Sequence, residues 1–77
     1  MARIPVSTSG IYQIRCLAND KIYIGSAVNL HIRWVQHRAL LRRGNHANEY
    51  LQAAWDKYGE NAFEFTILEY VAEDELL

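Results

Sequence analysis

The stretch GIYQIRCLANDKIYIG, residues 10–25, decides the architecture. Two runs rich in isoleucine and tyrosine flank Asn19-Asp20, a pair suited to a tight reversal, and together they read as a β-hairpin. In an antiparallel hairpin with an even-numbered loop, directly opposed residues have numbers of opposite parity and share a face. A two-residue loop therefore puts the phenols of Tyr12 and Tyr23 on one side, with Gly25 at the strand's end on that same face. A missing side chain there lets another group approach the backbone closely. Taken as two lone residues, Tyr12 and Tyr23 read as ordinary strand tyrosines, whose amphipathic rings suit a half-buried sheet.

Outward from the hairpin, Pro5, Ser7 and Thr8 form a short lead-in on one side. On the other, Asn29 is suited to cap a helix from about Leu30 to Arg43, with Gly44 placed to end it and Arg42-Arg43 favourable in the last turn. Leu30, Trp34 and Leu41 share one stripe of that helix and pack on the sheet. Arg33 and His37, one turn apart, are placed at the stripe's edge, and His31, Arg38 and Arg42 on a solvated side. A second helix is expected from Glu49 to Tyr58, capped by Asn48 and ended by Gly59. Its apolar side is Tyr50, Leu51, Ala54, Trp55 and Tyr58, an aromatic stripe that reads as core rather than as a platform for stacking bases. Phe63 to Val71 alternates as a third strand, and Glu73-Asp74-Glu75 suits the start of a further helix. The expected fold is α+β: a small three-stranded antiparallel sheet flanked by helices, in the order β-β-α-α-β and the beginning of another α.

Seventy-seven residues make one small domain, near the size at which a chain buries only about 60% of its unfolded surface. With 51% apolar and 22% charged residues the composition is that of a globular protein and excludes a disordered tail. No apolar run approaches the roughly 20 residues of a membrane span. With no secretory pattern either, a cytoplasmic, intracellular location is the expectation. A single cysteine, Cys16, forms no internal disulfide and reads as a buried strand residue.

Net charge is −1, but it is unevenly spread. Seven cations face one acid through residue 48, and one cation faces eight acids after it. Such a split fits a basic surface that meets phosphates, or equally two solvated halves that attract each other.

The tripeptides Gly10-Ile11-Tyr12 and Tyr23-Ile24-Gly25, in this order and spacing, resemble those of the GIY-YIG nuclease family. The resemblance runs on through Arg33 and His37, His46 and Asn48, Leu51-Gln52, Lys57-Tyr58-Gly59 and Phe63 to Glu69. It is most similar to the catalytic domains of phage and intron homing endonucleases, and it covers nearly the whole chain. It implies a DNA endonuclease module acting with Mg²⁺ or Mn²⁺, normally joined to a separate DNA-binding domain. It further implies catalytic roles for Tyr12, Tyr23, Arg33 and His37. Substrate contact is implied for Gly25, Arg38, His46 and Asn48, with capping the preferred role for Asn48.

The residue types suit phosphodiester hydrolysis, which needs a base for water, a cation for the developing charge and usually a metal. In the resemblance Tyr12 is the base and Tyr23 assists the water. Arg33 braces the phosphate, and His37 relays a proton or orients Tyr12. The family's metal-binding glutamate, in a pattern like Glu-x-x-Trp-Ile after the third strand, does not occur before Leu77, so the metal ligand is unknown. Weak cutting by this chain is expected on that ground. So is a homodimer through apolar surface that a further helix would cover. The alternatives are a silent nucleic-acid-binding module and a protein-interaction domain that retains the fold.

Overall fold

The computed structural model describes residues 8–76, so Pro5 and Ser7 of the lead-in, and Leu77, lie outside the described residues. The chain is α+β. Strands β1 (Gly10–Cys16) and β2 (Ile22–Ala27) form the hairpin. Helices α1 (Leu30–Arg42) and α2 (Glu49–Tyr58) follow, and β3 (Phe63–Tyr70) returns to the sheet. The strand order is β2-β1-β3 with both pairings antiparallel, which makes β1 the central strand.

The hairpin register pairs Tyr12 with Gly25 and Ile14 with Tyr23. Cys16 and Lys21 close the turn, so the reversal takes four residues, Leu17 to Asp20, rather than the two expected. Asp20 adopts a φ of 65°, tolerated by a short polar side chain, and its carboxylate accepts from the Arg15 guanidinium. Because four is also even, parity is preserved and the two tyrosines still share a face.

That face carries the core. Tyr12, Ile14, Leu30, Leu41, Leu51 and Trp55 form one buried cluster, with Trp34, Phe63 and Phe65 packed against it. Each such side chain contributes about 1.5–3 kcal/mol of burial. Cys16 is free and buried, as its strand position implies. Asn29 caps α1 by accepting from the Ile32 amide at 3.0 Å, and Asn48 caps α2 by accepting from that of Leu51 at 3.0 Å.

Three expectations are corrected. Tyr50 is not core: it is 89% exposed, because only Leu51 and Trp55 of its helix point squarely at the sheet. Tyr58 is 37% exposed, on the edge of the same face. His37 is not at the edge of α1's stripe but inside it, 6% exposed between Leu30 and Leu41. Glu73–Glu75 forms a single 3₁₀ turn. Exposed apolar side chains remain at Val28, Ile32 and Val35 around α1 and at Ile22 and Ile24 on the sheet's outer side.

Candidate active site

Tyr12 sits at the centre of the site because β1 is the middle strand and its even-numbered residues face the helices. It is 1% exposed. Opposite it, a Cβ at position 25 would stand 2.5 Å from Tyr12 Cζ and closer still to the hydroxyl oxygen. The group that approaches the Gly25 backbone is therefore Tyr12's own phenol, and the glycine is there to admit it.

The phenol oxygen lies 2.6 Å from His37 Nε2, and His37 Nδ1 lies 2.7 Å from His46 Nε2. His46 Nδ1 in turn accepts from the Asn48 amide at 3.0 Å. The backbone donor fixes every proton in this chain, because an amide N–H only donates. His46 Nδ1 is bare, so its Nε2 carries the hydrogen and donates to His37 Nδ1. His37 is thereby a neutral imidazole whose Nε2–H donates to the Tyr12 oxygen. A cationic His37 would set two donors against each other at Nδ1. Electrostatics agree: burial above all, then His46 and Arg33, push the His37 pKa down to about 4. Burial and Arg33 lower that of His46.

Burial raises the Tyr12 pKa above its ordinary value, Tyr23 adds to the rise, and the adjacent Arg33 guanidinium opposes it. At neutral pH the phenol is ionised to less than about one part in a thousand. Tyr23 stands with its ring centroid 6.5 Å from that of Tyr12 and 5.7 Å from that of His37, edge-on to the imidazole.

A cleft of about 470 Å³ opens beside these groups, lined among others by Tyr23, Arg33, His37, Arg43 and His46. Arg33 is exposed, and its Nη1 donates to Gln36 Oε1 at 3.4 Å. Tyr12, Tyr23, Arg33, His37 and His46 thus come together, with Gly25 beneath them. Arg38 does not join them: its guanidinium lies over the Trp34 ring, 5.3 Å from the centroid, and Trp34 stacks on Phe65. Asn48 uses its side chain as the helix cap and only its backbone on the site.

Two residues that sequence reasoning missed complete the arrangement. Arg43 lines the cleft with Arg33, Gln36 and Leu40, and the spacing of three, seven and ten residues was the available signal. Gln52 accepts from the His46 amide at 3.0 Å and donates to the Leu41 carbonyl at 3.0 Å, tying the loop to α1. Its position on the polar side of α2 gave no hint of this.

Among the described residues no group of three or more His, Cys, Asp or Glu side chains is placed to hold a metal ion. All four ring nitrogens of His37 and His46 are engaged in the hydrogen-bond chain. The described side chains therefore do not fit a metal centre. What they do fit is an anion: the Arg33 and Arg43 guanidinium groups and the Tyr23 phenol line a cleft large enough for a phosphate group, with the Tyr12–His37 pair buried beside it.

Comparison with known proteins identifies the chain's relatives. The sequence profile of the family described as the GIY-YIG catalytic domain matches residues 8–77. The chain is 46% identical over 61 residues to Intron-associated endonuclease 1 of Enterobacteria phage T4, covering 79% of this chain and 24% of that protein. It thus spans about a quarter of the length of that relative. The solved catalytic domain of homing endonuclease I-TevI matches with a TM-score of 0.80 at 40% identity, over 88% of this chain and 75% of that one. A mutant of that domain gives 0.79 at 41% identity, over 88% and 71%. The chain belongs to the GIY-YIG catalytic domain family, whose two name-giving tripeptides here supply Tyr12, Tyr23 and the glycine that makes room for a phenol.

Proposed function

We propose that this chain is the catalytic module of a DNA endonuclease that hydrolyses phosphodiester bonds. The observation that supports this best is the 2.6 Å contact between Tyr12 and a neutral His37, next to Arg33 on an open cleft.

In this reading Tyr12 is the general base and Tyr23 positions the water. Water gives its proton to the Tyr12 oxygen as its own oxygen bonds to phosphorus, the bond to the leaving oxygen breaks, and Arg33 takes up the charge that develops on the phosphoryl oxygens. Tyr12 must be a phenolate beforehand. His37 favours that state by donating to the oxygen, and Arg33 favours it by its charge. His37 already carries a proton on Nε2, so it orients the phenol and does not receive the Tyr12 proton. His46, fixed by the Asn48 amide and Gln52, holds His37 in that tautomer. Arg43, and less directly Arg38, add positive charge near the cleft.

Family membership implies a divalent metal, and Mg²⁺ or Mn²⁺ is the ion we propose. It would supply Lewis-acid chemistry, with a ligand set that the described side chains do not assemble by themselves. A specific observation favours a second reading, a nucleic-acid-binding module without catalysis: the described residues offer no three-ligand cluster.

Nicking of supercoiled plasmid with Mg²⁺ separates the two. Slow nicking that falls by roughly 10²–10⁴ in Tyr12→Phe, the range for loss of a general base, supports the nuclease. Salt-sensitive DNA binding without nicking supports the second reading. Nicking indifferent to both Tyr12→Phe and Arg33→Ala excludes this site as its origin.

A further inference from the structure

A second groove, of about 370 Å³, lies between the hairpin turn and α2, and nothing in the catalytic reading uses it. Lys21 and Tyr23 form one side; Asn48, Tyr50, Lys57 and Tyr58 form the other. Its volume is in the range that holds a group of about nucleotide size.

Three features say what belongs there. The groove adjoins the cleft at Tyr23, which lines both, and Asn48 of the groove follows His46 of the cleft by two residues. Among the described residues, the charged ones that line it are Lys21 and Lys57. This is selective, since Lys57 is the one cation in a stretch with eight acids. The nearby carboxylate of Asp56 accepts from Gln52 instead, and Glu49 lies outside the lining. Finally, Tyr50 holds its ring 89% in water although its helix has a sheet to bury against. An exposed ring on a groove that two lysines also line, Lys57 with its ammonium 5.3 Å from the Tyr58 ring centroid, is a combination that binds single-stranded nucleic acid: bases stack on the aromatic face and phosphates meet the cations.

The geometry points to this groove as a subsite for the DNA strand that flanks the phosphate held in the cleft, with an unpaired base stacked on Tyr50 and backbone phosphates on Lys21 and Lys57. This assignment rests on the nuclease reading, since it takes the strand to continue from the cut site.

The test is a titration of the ¹⁵N-labelled 77-residue chain with single-stranded hexathymidylate, followed by amide chemical shifts, which also report that each variant is folded. Shifts are expected together at residues 19–23 and 48–58 and at Arg33, His37 and Arg43. Tyr50→Ala should weaken binding by about fivefold or more, the lower end for loss of one stacked base. Tyr50→Phe, which keeps the ring, should restore it. Replacing Lys21 and Lys57 together by alanine should flatten the slope of log affinity against log salt by about 1.4, at about 0.7 per lost single-strand phosphate contact. Shifts confined to the cleft, or Tyr50→Ala binding like the parent, overturn the subsite and leave the nuclease reading standing. Shifts in the groove with none in the cleft, alongside nicking indifferent to Tyr12→Phe, overturn the nuclease reading and with it the flanking role.

Discussion

Acidification should destabilise this domain through its buried imidazole chain, and the size of the effect follows from His37. The group faces Tyr12 of β1, Tyr23 of β2, His46 of the loop and Arg33 of its own helix, and none of these welcomes a proton on it. Its pKa is about 4 folded against an ordinary 6.5. Between those values the unfolded chain binds a proton that the folded chain refuses. Stability from this group is therefore complete above about pH 6.5, falls as pH drops toward 4, and falls no further below. At 1.36 kcal/mol per pH unit the full loss is about 3 kcal/mol, and most of it is gone by pH 4.5. A domain of this size has a total stability of only roughly 4–12 kcal/mol. The assay is urea unfolding followed by tryptophan fluorescence at pH 7.5 and pH 4.5. With a urea dependence of about 1 kcal/mol per molar, the midpoint should move down by roughly 2 M. His37→Gln, which keeps a donor for Tyr12 and cannot titrate, should remove more than half of that shift. Glu60, paired with Arg42 at the surface, has a lowered pKa and loses its contribution below the range compared here. Equal shifts in the parent and His37→Gln proteins would refute the argument, as would a parent whose midpoint does not move.

Other expectations concern single parts of the same arrangement. Gly25→Ala should cost about 1–3 kcal/mol in thermal or urea unfolding and displace the Tyr12 ring, since the new Cβ overlaps the phenol; a change under 0.5 kcal/mol would contradict the packing. Asn48→Ala should cost about 1 kcal/mol through the lost α2 cap, lowering Tm by about 4–8 °C, while its backbone still serves His46. If the Tyr12 phenolate is the base, the nicking rate should rise about tenfold per pH unit between pH 7 and 9, because the phenol's pKa lies above that range; a rate that is flat there would assign the base elsewhere.

The fold was largely legible because its signals are local. Asn29, Gly44, Asn48 and Gly59 punctuate the helices where they were expected to, and alternation defines all three strands. Parity placed Tyr12 and Tyr23 on one face even though the turn is two residues longer than its Asn-Asp signal suggested. His37 was misplaced for an instructive reason: seven residues after Leu30 and four before Leu41, it occupies the middle of the apolar stripe. Its polarity argued for an edge, yet a histidine with partners on both nitrogens is buried at little cost. Tyr50 failed in the opposite sense, because hydrophobic character alone does not say which residue of a broad stripe meets the sheet. Gln52 belongs to the resemblance, but its tie between α1 and the loop was not legible, since only tertiary structure brings the Leu41 carbonyl and the His46 amide to it.

The measurement closest to the centre of this account is ¹⁵N NMR of the imidazole nitrogens across pH 5 to 8. Both His37 and His46 should be neutral with the hydrogen on Nε2 and Nδ1 bare, and His37 should stay so to pH 5. A His37 with its hydrogen on Nδ1, or one that titrates near 6.5, would contradict it.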